Sequence, residues 1–126
     1  MTSLNNASRH IAFFAGSFDP FTRGHQSIVL RSLSLFDEVV IGIGINPAKS
    51  AMMTVEQRME WIESVFHNYP QVSVVNYSGL TVDAARQAGA VCLIRQHKDV
   101  KHLLPHNYPQ HVADALFAKF APIENV

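Results

Sequence analysis

Three features of this sequence predict an α/β fold with an open parallel sheet and flanking helices. Short apolar runs alternate four times with segments of helical pattern, the rhythm of β–α units joined by right-handed crossovers. One run, Glu38 to Ile45, is apolar almost throughout, as in a strand buried on both faces of a parallel sheet. The first run ends in a glycine-bearing turn that leads straight into a helix. Such a unit gathers free backbone N–H groups and the positive end of a helix dipole, so it suits a phosphate.

Each element has its own signal. Ile11 to Ala15 is long enough for a buried strand and too short for a helix. Gly16 breaks it, and Ser17-Phe18-Asp19-Pro20 supplies the residue types of a tight turn. Thr22 or a neighbour caps a helix whose first turn holds Gly24 and His25. That helix is expected to run on from Gln26 to Phe36, with Val29, Leu33 and Phe36 on the face of His25. After the Glu38–Ile45 strand, Asn46 to Ser50 reads as a loop. Thr54 and Gln57 are spaced as a capping box, opening a helix to about Tyr69. Val72 to Tyr77 is a third strand, and Thr81 is expected to cap a helix ending near Gly89, a natural C′ glycine. Val91 to Ile94 is the fourth strand, followed at once by Arg95.

The 126 residues suffice for one domain with a real core and not for two. Residues 1–9 read as a flexible lead-in, 96–108 as an irregular connection and 109–120 as a C-terminal helix. Lys plus Arg equals Asp plus Glu at 10 each, which removes the basic footprint of a nucleic-acid binder. A single cysteine, Cys92, excludes an internal disulfide framework and fits a reducing compartment. No apolar run approaches a membrane span and the first residues lack the apolar core of a signal peptide, so a cytoplasmic location is expected, with no membrane partner. His97, His102, His106 and His111 have no zinc spacing, and Trp61 reads as core.

Ligands of open α/β sheets bind beyond the carboxyl ends of the strands. That rule selects Ser17, Asp19 and His25 after the first strand, Asn46 and Lys49 after the second, and Arg95 after the fourth. No G-x-x-x-x-G-K-[ST] loop is present, and the only close glycine pair, Gly42 and Gly44, lies inside a strand.

The string Gly16-Ser17-Phe18-Asp19-Pro20, followed by Thr22-Arg23-Gly24-His25, resembles the (T/H)xGH nucleotidyltransferases and, in its longer form, phosphopantetheine adenylyltransferase. The resemblance implies a Rossmann-like, HUP-type nucleotidylyl transferase fold. It also implies transfer of the adenylyl group of ATP to 4′-phosphopantetheine, giving dephospho-CoA and pyrophosphate, with Mg²⁺ bridging phosphate oxygens. By the same resemblance His25 donates to the α-phosphate region, Ser17 and Phe18 meet the phosphates, Lys49 holds the attacking phosphate and Arg95 binds the ATP side. Leu80 and Thr81 line the pantetheine arm, Arg58 lines the pocket, and the subunits assemble as a homo-oligomer, in that family a hexamer. Each residue also has a plainer reading: His25 as a helix-capping core histidine, Ser17 as a turn serine, Lys49 as a solvated loop residue, Arg95 as a strand terminus. Arg58 and Thr81 read equally as helix surface and cap.

The resemblance runs from about His10 to Arg95 and then breaks. The family continues with G-x-R, an acidic helix, a further strand and an I-S-S-[TS] segment, none of which follows here. Asp99-Val100-Lys101-His102-Leu103-Leu104-Pro105 instead resembles the D-V-x-x-F-L-P that closes the family's chain, with His111 to Phe120 as its last helix. In that register an internal block of several tens of residues is missing just after Arg95, and Lys98 is a poor surrogate for an ATP-binding arginine. Two other functions remain open on the sequence: a cytidylyltransferase-like enzyme using CTP, and a binding domain impaired by the missing segment.

Overall fold

A computed structural model describes residues 9–95 and 100–102, with Arg95 and the strand 100–102 described by their backbone. The order is β1 (Ile11–Gly16), α1 (Arg23–Ser32), β2 (Glu38–Gly44), α2 (Val55–Val65), β3 (Val72–Tyr77), α3 (Thr81–Gln87), β4 (Cys92–Arg95) and β5 (Val100–His102). The strands form one sheet in the order β3-β2-β1-β4-β5. β1 to β4 are parallel, and β5 runs antiparallel to β4. The expected parallel α/β sheet is therefore present. Residues 100–102, read from sequence within an irregular connection, instead extend it. The lead-in over residues 1–8, and the connection, register and C-terminal helix expected over 96–99 and 103–126, lie outside the described residues.

Alternation along the strands sorts two cores. Ala12 and Phe14 of β1, with Val39, Ile41 and Ile43 of β2, face α1 and α2, meeting Val29, Phe36, Ile62 and Phe66. Phe13, Ala15, Val40 and Leu93 face the other way and pack with Ala85 of α3. The helices thus divide between the two faces. The strand order reverses at β1, which has the consecutive β2 on one side and the returning β4 on the other. This is the switch point where ligands of such sheets bind. Gly42 shares the α3 face with Val40, and the Phe13 ring fills its side-chain space, so a Cβ there would overlap the ring.

Element ends differ from the sequence reading where local bonds intervene. α1 stops at Ser32 instead of continuing to Phe36. The Ser32 hydroxyl donates to Ile28 O at 2.7 Å, and the amides of Ser34 and Leu35 bond only three residues back, tightening the chain. Phe36 is still delivered to the core, 3% exposed. α2 ends at Val65 and not at Tyr69, whose amide closes a turn onto Phe66 O. Thr81 is the first residue of α3 and not its cap; Leu80 holds the N-cap position without a side-chain bond. Gly89 adopts φ +78°, as a C′ glycine should.

Candidate active site

The turn after β1 is held from several directions. Phe18 lies at φ +48°, a left-handed conformation costing a non-glycine residue about 1–3 kcal/mol. Its ring is fully buried and packs edge-on against Phe14 and His25 at 5.0 and 4.9 Å, and tilted against Phe21 at 5.3 Å. Burial of that ring offsets the strain. Phe18, expected to meet the phosphates, turns its ring into the core. The Asp19–Pro20 peptide is cis. The Asp19 carboxylate accepts the amides of Met52 and Met53 at 2.8 and 2.9 Å, tying this turn to the segment that precedes α2.

His25 is the N3 residue of α1, and Thr22 is its N-cap. Thr22 Oγ1 accepts the His25 amide at 3.3 Å, while the Thr22 amide donates to His25 Nδ1 at 2.9 Å. An N–H donor at Nδ1 requires a lone pair there, so the ring proton of the neutral imidazole sits on Nε2. Nε2 has no partner among the described residues and is not sealed from solvent. Burial beside Phe14, Phe18 and Phe21 pushes the His25 pKa below its ordinary value of 6.5. The group is a neutral donor pre-aimed by a helix cap. The capping reading of His25 is thus observed, and capping through Nδ1 leaves Nε2 as the ring's donor.

A cavity of about 300 Å³ opens beside this turn. Its walls include Ser17 and Asp19 from the turn, Asn46 and Lys49 from the loop after β2, and Thr54 and Arg58 from the start of α2. Ser17 and Lys49 are therefore brought together as the sequence predicts. Lys49 is exposed on its loop. His25 and Thr81 are not among the lining residues. Thr81 Oγ1 bonds the Tyr77 hydroxyl at 2.9 Å, and Leu80 is 71% exposed. The backbone of Arg95 pairs with Ala15, on the side of β1 opposite β2 but at the same carboxyl edge of the sheet. A second cavity, of about 350 Å³, lies between the end of α2 and the start of β3, away from that edge. Among the described residues no three His, Cys, Asp or Glu side chains are grouped to hold a metal.

Arg58 does not lie on the helix surface. It is only 6% exposed, with Nη1 donating to Ser17 O at 2.8 Å and Nε to Thr54 O at 3.3 Å. Its place four residues after the Thr54 cap was the available signal: such a residue sits one turn inside the helix, next to the segment leading out of β2. Trp61, expected in the core, is 51% exposed, with its indole N–H donating to Phe21 O.

A doubly wound parallel sheet carrying this TxGH turn at its switch point defines a nucleotidyltransferase-type domain. Solved structures share the fold. A bifunctional NMN adenylyltransferase/ADP ribose pyrophosphatase of Francisella tularensis, complexed with AMP and a manganese ion, superposes with a TM-score of 0.53 at 22% identity, over 69% of this chain and 31% of that one. A lipopolysaccharide core biosynthesis protein of Thermoplasma volcanium gives 0.55 at 14% identity, over 89% and 88%. A family model described as cytidylyltransferase-like matches residues 13–117. A phosphopantetheine adenylyltransferase of Porphyromonas gingivalis is 55% identical over 87 residues, covering 69% of this chain and 57% of its own. That of Bacteroides fragilis is 43% identical over 115 residues, covering 91% and 74%. The chain belongs to the cytidylyltransferase-like family and, within it, to the phosphopantetheine adenylyltransferases. It spans little more than half the length of several of these relatives, in keeping with a block missing after Arg95.

Proposed function

We propose that this chain transfers the adenylyl group of ATP to 4′-phosphopantetheine. The observation that carries the reading is the His25 turn, a neutral Nε2–H donor fixed by Thr22 beside a cavity that Ser17 and Lys49 line. A phosphate oxygen of 4′-phosphopantetheine attacks the α-phosphorus of ATP and forms the new P–O bond. The bond from that phosphorus to the α,β-bridging oxygen breaks, and pyrophosphate leaves with the electron pair. The attacking phosphate is already anionic, so no general base is required. Catalysis is then alignment together with stabilisation of charge on the transferring oxygens. Lys49 and Ser17 hold the acceptor phosphate, the His25 Nε2–H donates to a non-bridging α-phosphate oxygen, and Arg95 is assigned to the nucleotide.

Mg²⁺ enters this reading with ATP, as the counter-ion of its phosphates. Asp19, the carboxylate on the cavity wall, is committed to two backbone amides, and no described cluster forms a protein cage. A cytoplasmic location and assembly into a homo-oligomer belong to the same reading. Among the described residues no helix is long and apolar enough to cross a membrane.

The test is pyrophosphate release on mixing the chain with Mg-ATP and 4′-phosphopantetheine. His25→Ala should slow release about 100- to 1,000-fold, the usual cost of one oriented donor at a developing oxyanion. Lys49→Ala should act mainly on the KM for 4′-phosphopantetheine. Release with CTP in preference to ATP would replace the nucleotide in this reading. Binding of 4′-phosphopantetheine without release would leave a binding domain.

A further inference from the structure

Arg58 is a buried cation without a counter-ion among the described residues. More than nine-tenths of its surface is removed from solvent, yet no carboxylate among the described residues lies within ion-pair distance. Its two protein partners, Ser17 O and Thr54 O, are neutral carbonyls that use Nη1 and Nε. Nη2 has no bond with a described residue and is not sealed away, and the side chain forms part of the cavity wall. The one carboxylate on that wall, Asp19, is directed to the Met52 and Met53 amides. A desolvated guanidinium is costly unless an anion meets it, and its planar fork matches a phosphate. Lys49 adds a second positive charge to the same cavity.

We propose that Arg58 is a phosphate-binding residue of this cavity, whose counter-ion is the phosphate group of a ligand held between Arg58 and Lys49. Its bond to Ser17 O couples that contact to the turn bearing the phosphate-facing residues, so ligand and turn are ordered together. The assignment rests on the proposed function only for the identity of the phosphate bearer.

The test titrates the whole chain calorimetrically with 4′-phosphopantetheine, pantetheine, Mg-ATP and inorganic pyrophosphate, and repeats this with Arg58→Lys and Arg58→Met. At least one phosphate-bearing probe should bind about 10- to 100-fold more weakly to Arg58→Met, the range for losing a hydrogen bond between charged groups. Arg58→Lys should show a smaller loss, and pantetheine should bind all three proteins alike. Loss confined to 4′-phosphopantetheine seats the acceptor phosphate on Arg58; loss confined to Mg-ATP seats the nucleotide's. Should Arg58→Met fail to fold, Arg58→Lys decides by the same comparison. Equal weakening of pantetheine and 4′-phosphopantetheine would reduce Arg58 to a structural strut and overturn the proposal. So would unchanged affinity for every phosphate probe, or no phosphate binding by the unaltered chain. Arg58-dependent phosphate binding without pyrophosphate release would sink the proposed function and leave this assignment standing.

Discussion

Thr22 and His25 exchange bonds in both directions: the threonine hydroxyl accepts the histidine amide, and the histidine ring accepts the threonine amide. This is a capping box in which an imidazole replaces the usual Glu or Gln. The pair joins helix initiation to tautomer selection, because the nitrogen that caps cannot also carry the proton.

A pH dependence follows. His25 is pushed below its ordinary value by burial, so the native ring stays neutral where an unfolded histidine already binds a proton. As pH falls below about 6.5 the unfolded state takes up more protons than the native state, and stability falls. The loss continues down to the depressed native pKa. Protonation also converts Nδ1 from acceptor to donor and breaks the bond to the Thr22 amide. Thermal melts should therefore show a midpoint falling below pH 6.5, with this His25 contribution absent from His25→Asn. An unchanged slope in His25→Asn would refute the assignment. The His25 ring signals in NMR should titrate below those of an exposed histidine.

Much of this was legible in the sequence because period and punctuation agreed. Apolar runs bounded by Gly16, Asn46 and Gly89 mark strands and turns, and Thr54 with Gln57 marks the start of α2. The C-terminal end of α1 was not legible, because the deciding bond runs from a side chain, Ser32, to Ile28 O. Arg58 was obscured for a different reason. A helical arginine reads as surface until a carbonyl distant in sequence, that of Ser17, is found against it. Trp61 misled in the opposite sense, since its indole N–H finds Phe21 O from a half-exposed position.

Gly42 should tolerate no side chain. A methyl at its Cβ position would overlap the Phe13 ring, which itself packs edge-on against Tyr77 at 5.7 Å. Gly42→Ala should destabilise by about 1–3 kcal/mol in denaturant melts, as overpacked cores do. Combining it with Phe13→Leu should recover part of that loss. If the double variant shows only the sum of the two single losses, the clash is not the cause.

Cys92 should be silent to thiol reagents in the folded protein. It is fully buried in β4, and desolvation pushes its pKa up to about 12. Thiolate is then scarce at neutral pH, and access is closed. Modification by a disulfide reagent should track the unfolded fraction across a urea titration. Rapid labelling without denaturant would show that β4 opens locally.

Asp19 is the member of the turn whose role is mechanical. Its two oxygens hold the amides of Met52 and Met53, residues that lie between the Lys49 loop and the cap of α2. The carboxylate is half-buried and spans 33 residues of chain, so it fixes the separation of the two sides of the cavity. Asp19→Ala removes both charge-assisted bonds and should cost about 2 kcal/mol. Asp19→Asn keeps one acceptor oxygen and sets an NH₂ group against the second amide, so it should fall between Asp19→Ala and the unaltered chain. Both variants should raise the KM for 4′-phosphopantetheine more than they lower kcat, because the His25–Thr22 box is built without Asp19. A large fall in kcat at unchanged KM would instead place the Asp19 carboxylate among the reacting groups.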